Sequence, residues 1–395
     1  MSDIVQFVAW VAAFLILMPI LVLLIESLVA SVLPPPPSRS FAHEPRPPAA
    51  ILIPAHNEES LIEATIASVR PQLLPSDRLL VVADNCSDQT AAVARQAGAE
   101  VTKRIDADRK GKGFALAHGR AVLEQAPPHV VLVVDADCRM EPGSIDVLVR
   151  SAHRMQRPVQ ANYLLKLPPG APLTAAISVF AFKVKNFVRP YGLWRMGLPC
   201  PLFGTGMSFP WPLLQRLPLK SGNITEDMQL AVDASSQGDP PIYCHQAKVT
   251  SRLPLSTRAA AVQRTRWEHG HIQTILRCAP QLFWSGLRRG RLDVVALAMD
   301  VMVPPLSLLV LLWIASAALA ATSPLLGGSW GPCYALGIEA FLLLVAVAAA
   351  WFRFGRSIVR GVPLLAVPIY VAWKIPIYLA FLLRRQKAWV RTQRD

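Results

Sequence analysis

The sequence has few charged residues for its length. Of its 395 residues, 17% are Asp, Glu, Lys or Arg, and 53% are hydrophobic. Soluble globular proteins average about 25% charged residues, so this composition argues against both a disordered chain and an ordinary soluble enzyme. The six cysteines include no C-x-x-C pair, which argues against a zinc ribbon and a disulfide framework. We therefore expect a membrane protein in a reducing compartment.

The chain also lacks a basic stripe interleaved with aromatic residues and any nucleic-acid motif, although its net charge is +14. A nucleic-acid partner is therefore not expected. The arginines instead flank the apolar runs, at 288–291, 353–360 and 384–394. Basic residues at such places orient membrane helices, so the predicted partner is the lipid bilayer.

Apolar runs lie at both ends of the chain. Residues 4–25 carry no charge, and a helix of that length reaches about 33 Å, enough to cross a bilayer core. Three further candidates lie at about 294–322, 333–352 and 362–383. The last contains Lys374 and three prolines, so it either crosses the bilayer or re-enters. We expect Lys374 to snorkel to the interface, and the alternative is that it lines a protein cavity.

The distribution of arginine predicts the topology. The connection 323–333 is uncharged and 352–360 carries three arginines, so the positive-inside rule places the first outside and the second in the cytosol. The central region then faces the cytosol of a protein integral to a membrane, for which we expect the bacterial inner membrane. The basic residues 384–395 fit this rule only if the last segment does not cross, which leaves two or three C-terminal crossings open.

Between the apolar runs, short β-branched runs alternate with amphipathic stretches. Strands are predicted at 49–55, 78–84 and 130–137, with helices at 58–69, 89–98 and 113–125. This alternation predicts an α/β fold with a doubly wound, mostly parallel sheet. The predicted organisation is an N-terminal transmembrane helix (1–33), a Pro-rich linker (34–48), a cytosolic domain (49–270), an interfacial helix (271–292) and a C-terminal membrane region (293–395).

Polar residues follow the predicted strands. Glu58 follows the first, Asp84 ends the second, Lys112 lies in a Lys/Gly loop, and the strand at 130–137 ends in Asp135-Ala136-Asp137. Each could be a turn or a helix cap. The carboxyl ends of parallel strands collect at one edge of a sheet, where ligands bind. Together these residues predict one shared site.

Asp135 and Asp137 are two residues apart at a strand end, so they are expected to leave the same face. Two neighbouring carboxylates repel unless a cation neutralises them, and hard divalent ions bind such oxygens together with substrate phosphates. The pair therefore predicts Mg or Mn bridging a diphosphate.

Thr225, Glu226 and Asp227 begin a helical stretch. Thr225 is expected to cap this helix, with the two acids near its positive end. Asp227 is also a candidate general base for an acceptor hydroxyl, and the two interpretations are compatible.

Gln263, Arg266 and Trp267 lie at i, i+3 and i+4, on one helix face. An amide, a guanidinium and an indole suit sugar stacking and the neutralisation of a diphosphate. The alternative is a Trp/Arg pair at the membrane interface.

The order of these motifs resembles that of the membrane-bound family-2 glycosyltransferases, which include cellulose, chitin-oligosaccharide and hyaluronan synthases and the ceramide glucosyltransferases. The matching series is Asp84, Asp135-Ala136-Asp137, Thr225-Glu226-Asp227 and Gln263-x-x-Arg266-Trp267. The resemblance implies a GT-A fold. It also implies metal-dependent (Mg or Mn), inverting transfer of a sugar from a nucleotide-diphosphate sugar, usually a UDP sugar.

The same resemblance implies roles for individual residues. Asp137 would hold the metal, Asp227 would be the base, and Glu226 would lie beside it. The nucleotide sugar would bind Pro54, Ala55, Glu58, Asp84, Lys112, Asp135 and Arg266. The acceptor would bind Phe203, Gly204, Thr205, Gly206, Gln263 and Trp267.

The acceptor itself stays open at this point. It is either a saccharide, in polysaccharide or exopolysaccharide synthesis, or a lipid that receives one sugar, and a partner subunit or oligomer for export is a further option. A non-catalytic membrane scaffold is a third hypothesis, against which the retention of Asp137, Asp227 and Arg266 argues. The stretches 175–194 and 271–291 are predicted either to lie in the membrane interface, which would open the acceptor site near the bilayer, or to be core helices.

Overall fold

One mixed sheet organises the central part of the chain in the computed structural model, which describes residues 2–35, 45–220, 225–253, 257–360 and 367–383. Its strands are β1 (Ala49–Ala55), β2 (Arg78–Asp84), β3 (Glu100–Arg104), β4 (Val130–Val133), β5 (Arg139–Met140), β6 (Val159–Lys166), β7 (Met207–Pro210) and β8 (Ile242–Arg252). Their order is β3-β2-β1-β4-β7-β6-β8-β5.

Helices cover both faces of this sheet and extend beyond it. Within the described residues they are α1 (Ser2–Val32), α2 (Ile62–Val69), α3 (Thr90–Gln96), α4 (Lys112–Leu123), α5 (Ser144–Met155), α6 (Leu173–Lys183), α7 (Arg189–Arg195), α8 (Trp211–Arg216), α9 (Glu226–Ser236), α10 (Thr257–Arg277), α11 (Ala279–Arg288), α12 (Leu292–Met302), α13 (Leu306–Leu325), α14 (Gly331–Ala350) and α15 (Val367–Leu383). A π-helical turn, Val184–Val188, joins α6 to α7.

The predicted α/β fold with a mostly parallel sheet is confirmed. Strand β1 lies between β2 and β4 and is parallel to both, and β2 is parallel to β3. Strand β7 is antiparallel to both of its neighbours, β4 and β6, so the sheet is mixed. Strand β4 ends at Val133, before the position predicted from the sequence, so Asp135 and Asp137 lie in the turn that follows it.

The central strands β1, β2 and β4 are largely apolar because both faces of the sheet are covered there. On one face, Ile51 and Ile53 of β1 pack with α2 and α5. On the other, Leu52 of β1 packs with α4, α8 and α9. Polar residues of β1, β2 and β4 lie at or beyond the strand ends, which is where the candidate site forms.

Among the residues that the structure describes, three helices are long and apolar enough to cross a membrane: Ser2–Val32, Leu306–Leu325 and Gly331–Gly355. Helix α15 is apolar but shorter than these. The predicted segment 294–322 is instead two helices, α12 and α13, because Pro304 and Pro305 cannot continue a helix. Asp300 therefore lies in the short helix α12 and not in a spanning segment.

Parts of the predicted organisation fall at or beyond the described ranges. Most of the Pro-rich linker (36–44) and the basic residues 384–395 lie outside them. The domain boundary predicted at residue 270 falls within α10.

The stretch 175–194 packs in an apolar cluster with residues of the N-terminal helix α1. Phe180 and Val184 contact α1 in one apolar cluster. Arg189 is buried, and its guanidinium donates to Glu26 Oε2 of α1 at 2.9 Å and to Asp300 Oδ1 of α12 at 2.6 Å. The interfacial prediction is wrong for this basic residue, because two buried carboxylates supply its counter-charges.

We predict that Arg189→Met destabilises the protein by about 3–5 kcal/mol, since it leaves Glu26 and Asp300 buried without a cation. The measurement is the thermal unfolding of the full chain in detergent. Arg216→Met is the matched control, because the pair Arg216–Asp239 is largely exposed and such pairs contribute about 0–1 kcal/mol. Equal destabilisation by both changes would contradict the prediction.

Candidate active site

A cleft of about 610 Å³ lies at the carboxyl ends of β1, β2 and β4, and we call it the outer cleft. Its lining includes each residue predicted for nucleotide-sugar and metal binding: Pro54, Ala55, Glu58, Asp84, Lys112, Asp135, Asp137 and Arg266. The sheet topology explains this convergence, because adjacent parallel strands end at the same edge.

Asp84 lines the outer cleft and is held there by a residue that the sequence did not single out. Its Oδ1 accepts a hydrogen bond from Arg104 Nη1 at 2.6 Å, and its carbonyl accepts one from His56 Nδ1 at 2.7 Å. Arg104 ends β3, a strand that was not predicted. The alternation of side-chain types in EVTKR, shortly after Gly98, could have indicated this strand.

Lys112 lies at the centre of the carboxylates. Its Nζ is 2.5 Å from Asp135 Oδ1 and 3.6 Å from Glu226 Oε1, and it donates to the carbonyl of Gly204 at 2.5 Å. Burial disfavours the charged ammonium, but the two carboxylates outweigh it and raise the pKa of Lys112 above its ordinary value. Lys112 therefore stays cationic at neutral pH.

The loop at 203–206 brings backbone close to these charges. Gly204 has φ +87°, and a Cβ at this position would lie 3.3 Å from Asp227 Oδ2 and 3.5 Å from Lys112 Nζ. Thr205 is fully buried, and its Oγ1 accepts a hydrogen bond from the Asp135 N–H at 3.1 Å. Thr205 was predicted to bind the acceptor. Thr205 instead lies behind the residues that line the site and positions Asp135, because the turn at Gly204 directs the Thr205 side chain inward.

Glu226 and Asp227 open α9 and face the same space. Burial raises the pKa of Glu226 to about 7 and also raises that of Asp227, while Lys112 opposes both shifts. Thr225 occupies the N-cap position without a side-chain cap hydrogen bond. Its hydroxyl instead bonds the Thr274 hydroxyl of α10 at 3.0 Å. The predicted capping bond is therefore absent, because the side chain is turned toward α10.

The predicted metal ligand lies in a compact cluster. Ligand atoms of Asp135, Asp137 and Cys138 all lie within 4.8 Å of one another. Burial raises the pKa of Cys138, which therefore stays a neutral thiol and donates to Asp137 Oδ1 at 3.2 Å. Hard divalent ions prefer carboxylate oxygens, so the two aspartates fit Mg or Mn. The Cys138 thiol holds Asp137 through its hydrogen bond.

A second cavity of about 240 Å³, which we call the inner chamber, adjoins the outer cleft. Phe203, Gly204, Gln263, Arg266 and Trp267 line it, as the helix-face argument predicted for the last three. The Trp267 ring lies 5.5 Å from that of Phe182 on α6. The far wall is built by the first turn of α13 and by α15, through residues that include Ser307, Tyr370 and Lys374.

Lys374 is buried and paired with Glu268 of α10. The snorkelling prediction is therefore wrong, and the alternative, that Lys374 lines a protein cavity, describes its position. The reason is tertiary, because α10 supplies a carboxylate that the sequence of α15 could not reveal.

Comparison with known proteins identifies the family. The profile of the family described as "Glycosyltransferase like family 2" matches residues 45–270, more than half of the chain. The chain therefore belongs to this glycosyltransferase family, as its motifs predicted.

Two curated relatives are similar over part of their length. One is a probable glycosyltransferase of Bacillus subtilis, YdaM, 26% identical over 249 residues, which cover 60% of this chain and 58% of the relative. The other is the 4,4'-diaponeurosporenoate glycosyltransferase of Staphylococcus aureus, 38% identical over 88 residues, which cover 22% of this chain and 23% of the relative. The matched segments thus span less than two thirds of either relative.

A solved structure shares the fold. It is the mannosyltransferase PcManGT from Pyrobaculum calidifontis in complex with GDP-Man and Mn²⁺, with 18% identity and a TM-score of 0.54 over 89% of this chain and 100% of that one. The predicted GT-A-like fold is confirmed by this likeness.

We predict that Gly204→Ala lowers sugar transfer about tenfold or more, because the new Cβ displaces Asp227 or Lys112. Gly197→Ala is the matched control, since Gly197 also has positive φ but nothing lies within 4 Å of its Cβ position. Each change should cost about 1–2 kcal/mol of stability through backbone strain. Turnover and thermal unfolding are measured together, and an equal loss of turnover in both variants would contradict the prediction.

The raised pKa of Glu226 predicts a pH dependence of stability. Between its ordinary value of 4.5 and about 7, the folded protein keeps a proton that the unfolded chain has released. Stability should therefore fall as the pH rises through this range. Glu226→Gln should weaken that fall, whereas Glu63→Gln on the exposed face of α2 should not. Melting temperatures from pH 4.5 to 8 test this, and parallel curves for parent and Glu226→Gln would refute it.

Proposed function

We propose that this protein is an integral membrane glycosyltransferase that moves a sugar, with inversion, from a nucleotide-diphosphate sugar to an acceptor hydroxyl. A UDP sugar is the expected donor. The observation that carries the proposal is that the outer cleft and the inner chamber meet at Lys112, Asp135, Asp137 and Arg266, which line both. A donor in the cleft and an acceptor in the chamber would meet at this junction.

The outer cleft supplies what a departing diphosphate needs. The nucleoside would lie against Pro54, Ala55, Glu58 and Asp84, so that its phosphates reach the junction. There Lys112 and Arg266 stabilise the negative charge that develops on the leaving group. Asp135 and Asp137 would hold Mg or Mn, which neutralises diphosphate charge when bound.

Asp227 acts as the general base on the acceptor hydroxyl. Inverting transfer is a single displacement, so it requires one base and no enzyme nucleophile. Burial raises the pKa of Asp227, which makes its carboxylate a stronger proton acceptor. The charge around Asp227 depends on the neighbouring Glu226 and on Lys112, which lies between the carboxylates. Gln263 and Trp267 orient the acceptor.

The catalytic domain faces the cytosol in this proposal. Residues 351–360, which carry Arg353, Arg356 and Arg360, lie beside the catalytic domain, where Lys183 Nζ of α6 donates to the Phe354 carbonyl at 2.8 Å. The arginines and the domain are thus on the same side of α13 and α14. The positive-inside rule favours the cytosolic side for both, in a bacterial inner membrane.

The acceptor in this proposal is a saccharide, in polysaccharide or exopolysaccharide synthesis. The Trp267 indole in the inner chamber supports a saccharide acceptor. The second candidate is a lipid that receives a single sugar. The wall that α13 and α15 contribute to the chamber favours this alternative.

We expect nucleotide release in native membranes with one member of a UDP-sugar panel, dependent on Mn²⁺ or Mg²⁺. Asp227→Asn should lower release by about 10²–10⁴-fold, the range of general-base catalysis. Asp137→Asn should raise the metal concentration required. Asp239→Asn, at the exposed pair with Arg216, is the matched control.

The size of the product then separates the acceptors, because a ladder indicates polymer growth and one added sugar indicates the lipid alternative. Full activity of Asp227→Asn, or no release from folded protein with any donor and added acceptor, would refute the proposed function.

A further inference from the structure

Helix α15 packs along one side of α10, which supplies residues to both cavities. The Arg264 guanidinium of α10 lies 5.4 Å from the Trp373 ring centre of α15, and His269 Nε2 donates to the Ile377 carbonyl at 2.8 Å. Arg264 and His269 are more than one helical turn apart. Helix α15 therefore contacts α10 over a length of helix and not at a single point.

A buried ion pair lies between these two contacts. Lys374 of α15 pairs with Glu268 of α10, and the two residues are 5% and 8% exposed. Glu268 Oε2 is buried without a hydrogen-bond partner, and among the described residues Lys374 is the one cation within ion-pair distance of this carboxylate. Removing either partner would leave the other charge buried and unpaired. The pair therefore holds the two helices together at this point.

Glu268 lies two residues after Arg266 on α10. Side chains two apart leave a helix on nearly opposite sides, so Glu268 contacts α15 while Arg266 reaches the junction of the two cavities. There Arg266 interacts electrostatically with Glu226 and Asp135. A shift of α10 at Glu268 would move Arg266 with it, and a misplacement of about 1 Å can lower catalysis about 10²-fold.

Lys374 is the one charged residue in the sequence of α15. An ionisable residue in so apolar a helix is costly, and such residues mark functional sites by default. The Tyr378 hydroxyl of the same helix bonds the Ser307 hydroxyl of α13 at 2.6 Å, so α15 is itself held by a helix long enough to span a membrane. The Lys374–Glu268 pair therefore connects the C-terminal helices to α10.

We propose that Lys374 and Glu268 are positioning residues for sugar transfer, because their ion pair holds α10 where Arg266 meets the diphosphate of the nucleotide. This inference rests on the proposed function and adds two residues to it. Neither residue is among those that line the outer cleft, so both act through α10. Their loss should weaken the contact with the diphosphate and leave the contact with the nucleoside intact.

Binding of UDP and of uridine to the full chain in detergent micelles, with Mn²⁺ present, tests the proposal. Arg266 would contact the diphosphate, which uridine lacks. Lys374→Gln and Glu268→Gln should each raise the dissociation constant of UDP about tenfold, the equivalent of one charge-assisted hydrogen bond. Both variants should bind uridine as the parent does, whereas a general loss of stability would weaken both ligands alike.

The direction of the two single effects separates position from charge. Losing a positive charge at Lys374 and losing a negative charge at Glu268 have opposite direct effects on an anionic ligand, so weaker UDP binding in both variants indicates a displaced Arg266. The double variant Lys374→Gln/Glu268→Gln, in which two amides can bond each other, should recover most of the affinity. On an Arg266→Ala background, Lys374→Gln should cause no further loss.

The matched control removes a lysine from an exposed ion pair. Lys166 pairs with Glu141, and the side chains are 57% and 39% exposed, so Lys166→Gln should bind UDP as the parent does. Lys374→Arg keeps the charge and should largely retain UDP affinity. Elution volume and melting temperature establish that each variant is folded, and Lys374→Met replaces Lys374→Gln if the latter is not.

The proposal is overturned if Lys374→Gln binds UDP as the parent does. That result would show that the contacts of α10 with the start of α9 and with α12 hold α10 without α15. It is also overturned if the two single variants shift UDP affinity in opposite directions, or if uridine affinity falls as much as UDP affinity. An equal loss from Lys374→Gln on the Arg266→Ala background would overturn it as well.

The two proposals can fail separately. Nucleotide release by the parent, with unchanged UDP affinity in both single variants, would sink this inference and leave the proposed function standing. UDP binding that depends on Lys374 and Glu268, without transfer from any donor, would sink the proposed function and leave the positioning of Arg266 standing. If the parent binds no UDP, the UDP donor is wrong, and GDP with guanosine takes its place in the same titrations.

Discussion

The charge balance around Lys112 is the constraint on which the candidate site depends. One partly buried ammonium bridges the turn after β4, the loop at Gly204 and the start of α9. Three partly buried carboxylates in one place would repel each other, which favours their protonated forms. A single cation between them keeps the site compact and keeps part of its negative charge. The close approach of the loop in turn requires a residue without a Cβ at Gly204.

A second ionic contact connects the site to the N-terminal helix. Arg189 joins α1 to α12, and it follows directly on the π-helical turn that carries Lys185. The position of Lys185 in the inner chamber is therefore tied to a buried ion pair with α1.

The inner chamber combines two environments. Near Asp227 it is lined by charged groups of the catalytic domain, and on the far side by α13 and α15. Low local polarity strengthens each charge interaction in such a space. Burial in this space raises the pKa of Asp227, which makes its carboxylate a stronger base.

Three strands, the helices between them and the residues at the junction could be predicted from the sequence alone. Strands β1 and β2 were predicted at their observed bounds. Lys112, Asp135 and Asp137 were selected because together they follow apolar strands, and Arg266 was selected from the i, i+3, i+4 spacing on one helix face. Hydrophobic periodicity and strand-end positions are local properties, so a single sequence reveals them.

Which segments meet depends on the fold. The antiparallel insertion of β7, the burial of Thr205 behind Asp135 and the pairing of Lys374 with Glu268 all depend on neighbours distant in the chain. Charge pairing and burial are pairwise properties of residues in space. A side chain's own sequence context therefore cannot show whether its counter-charge comes from another helix, from the strand beside it or from a ligand.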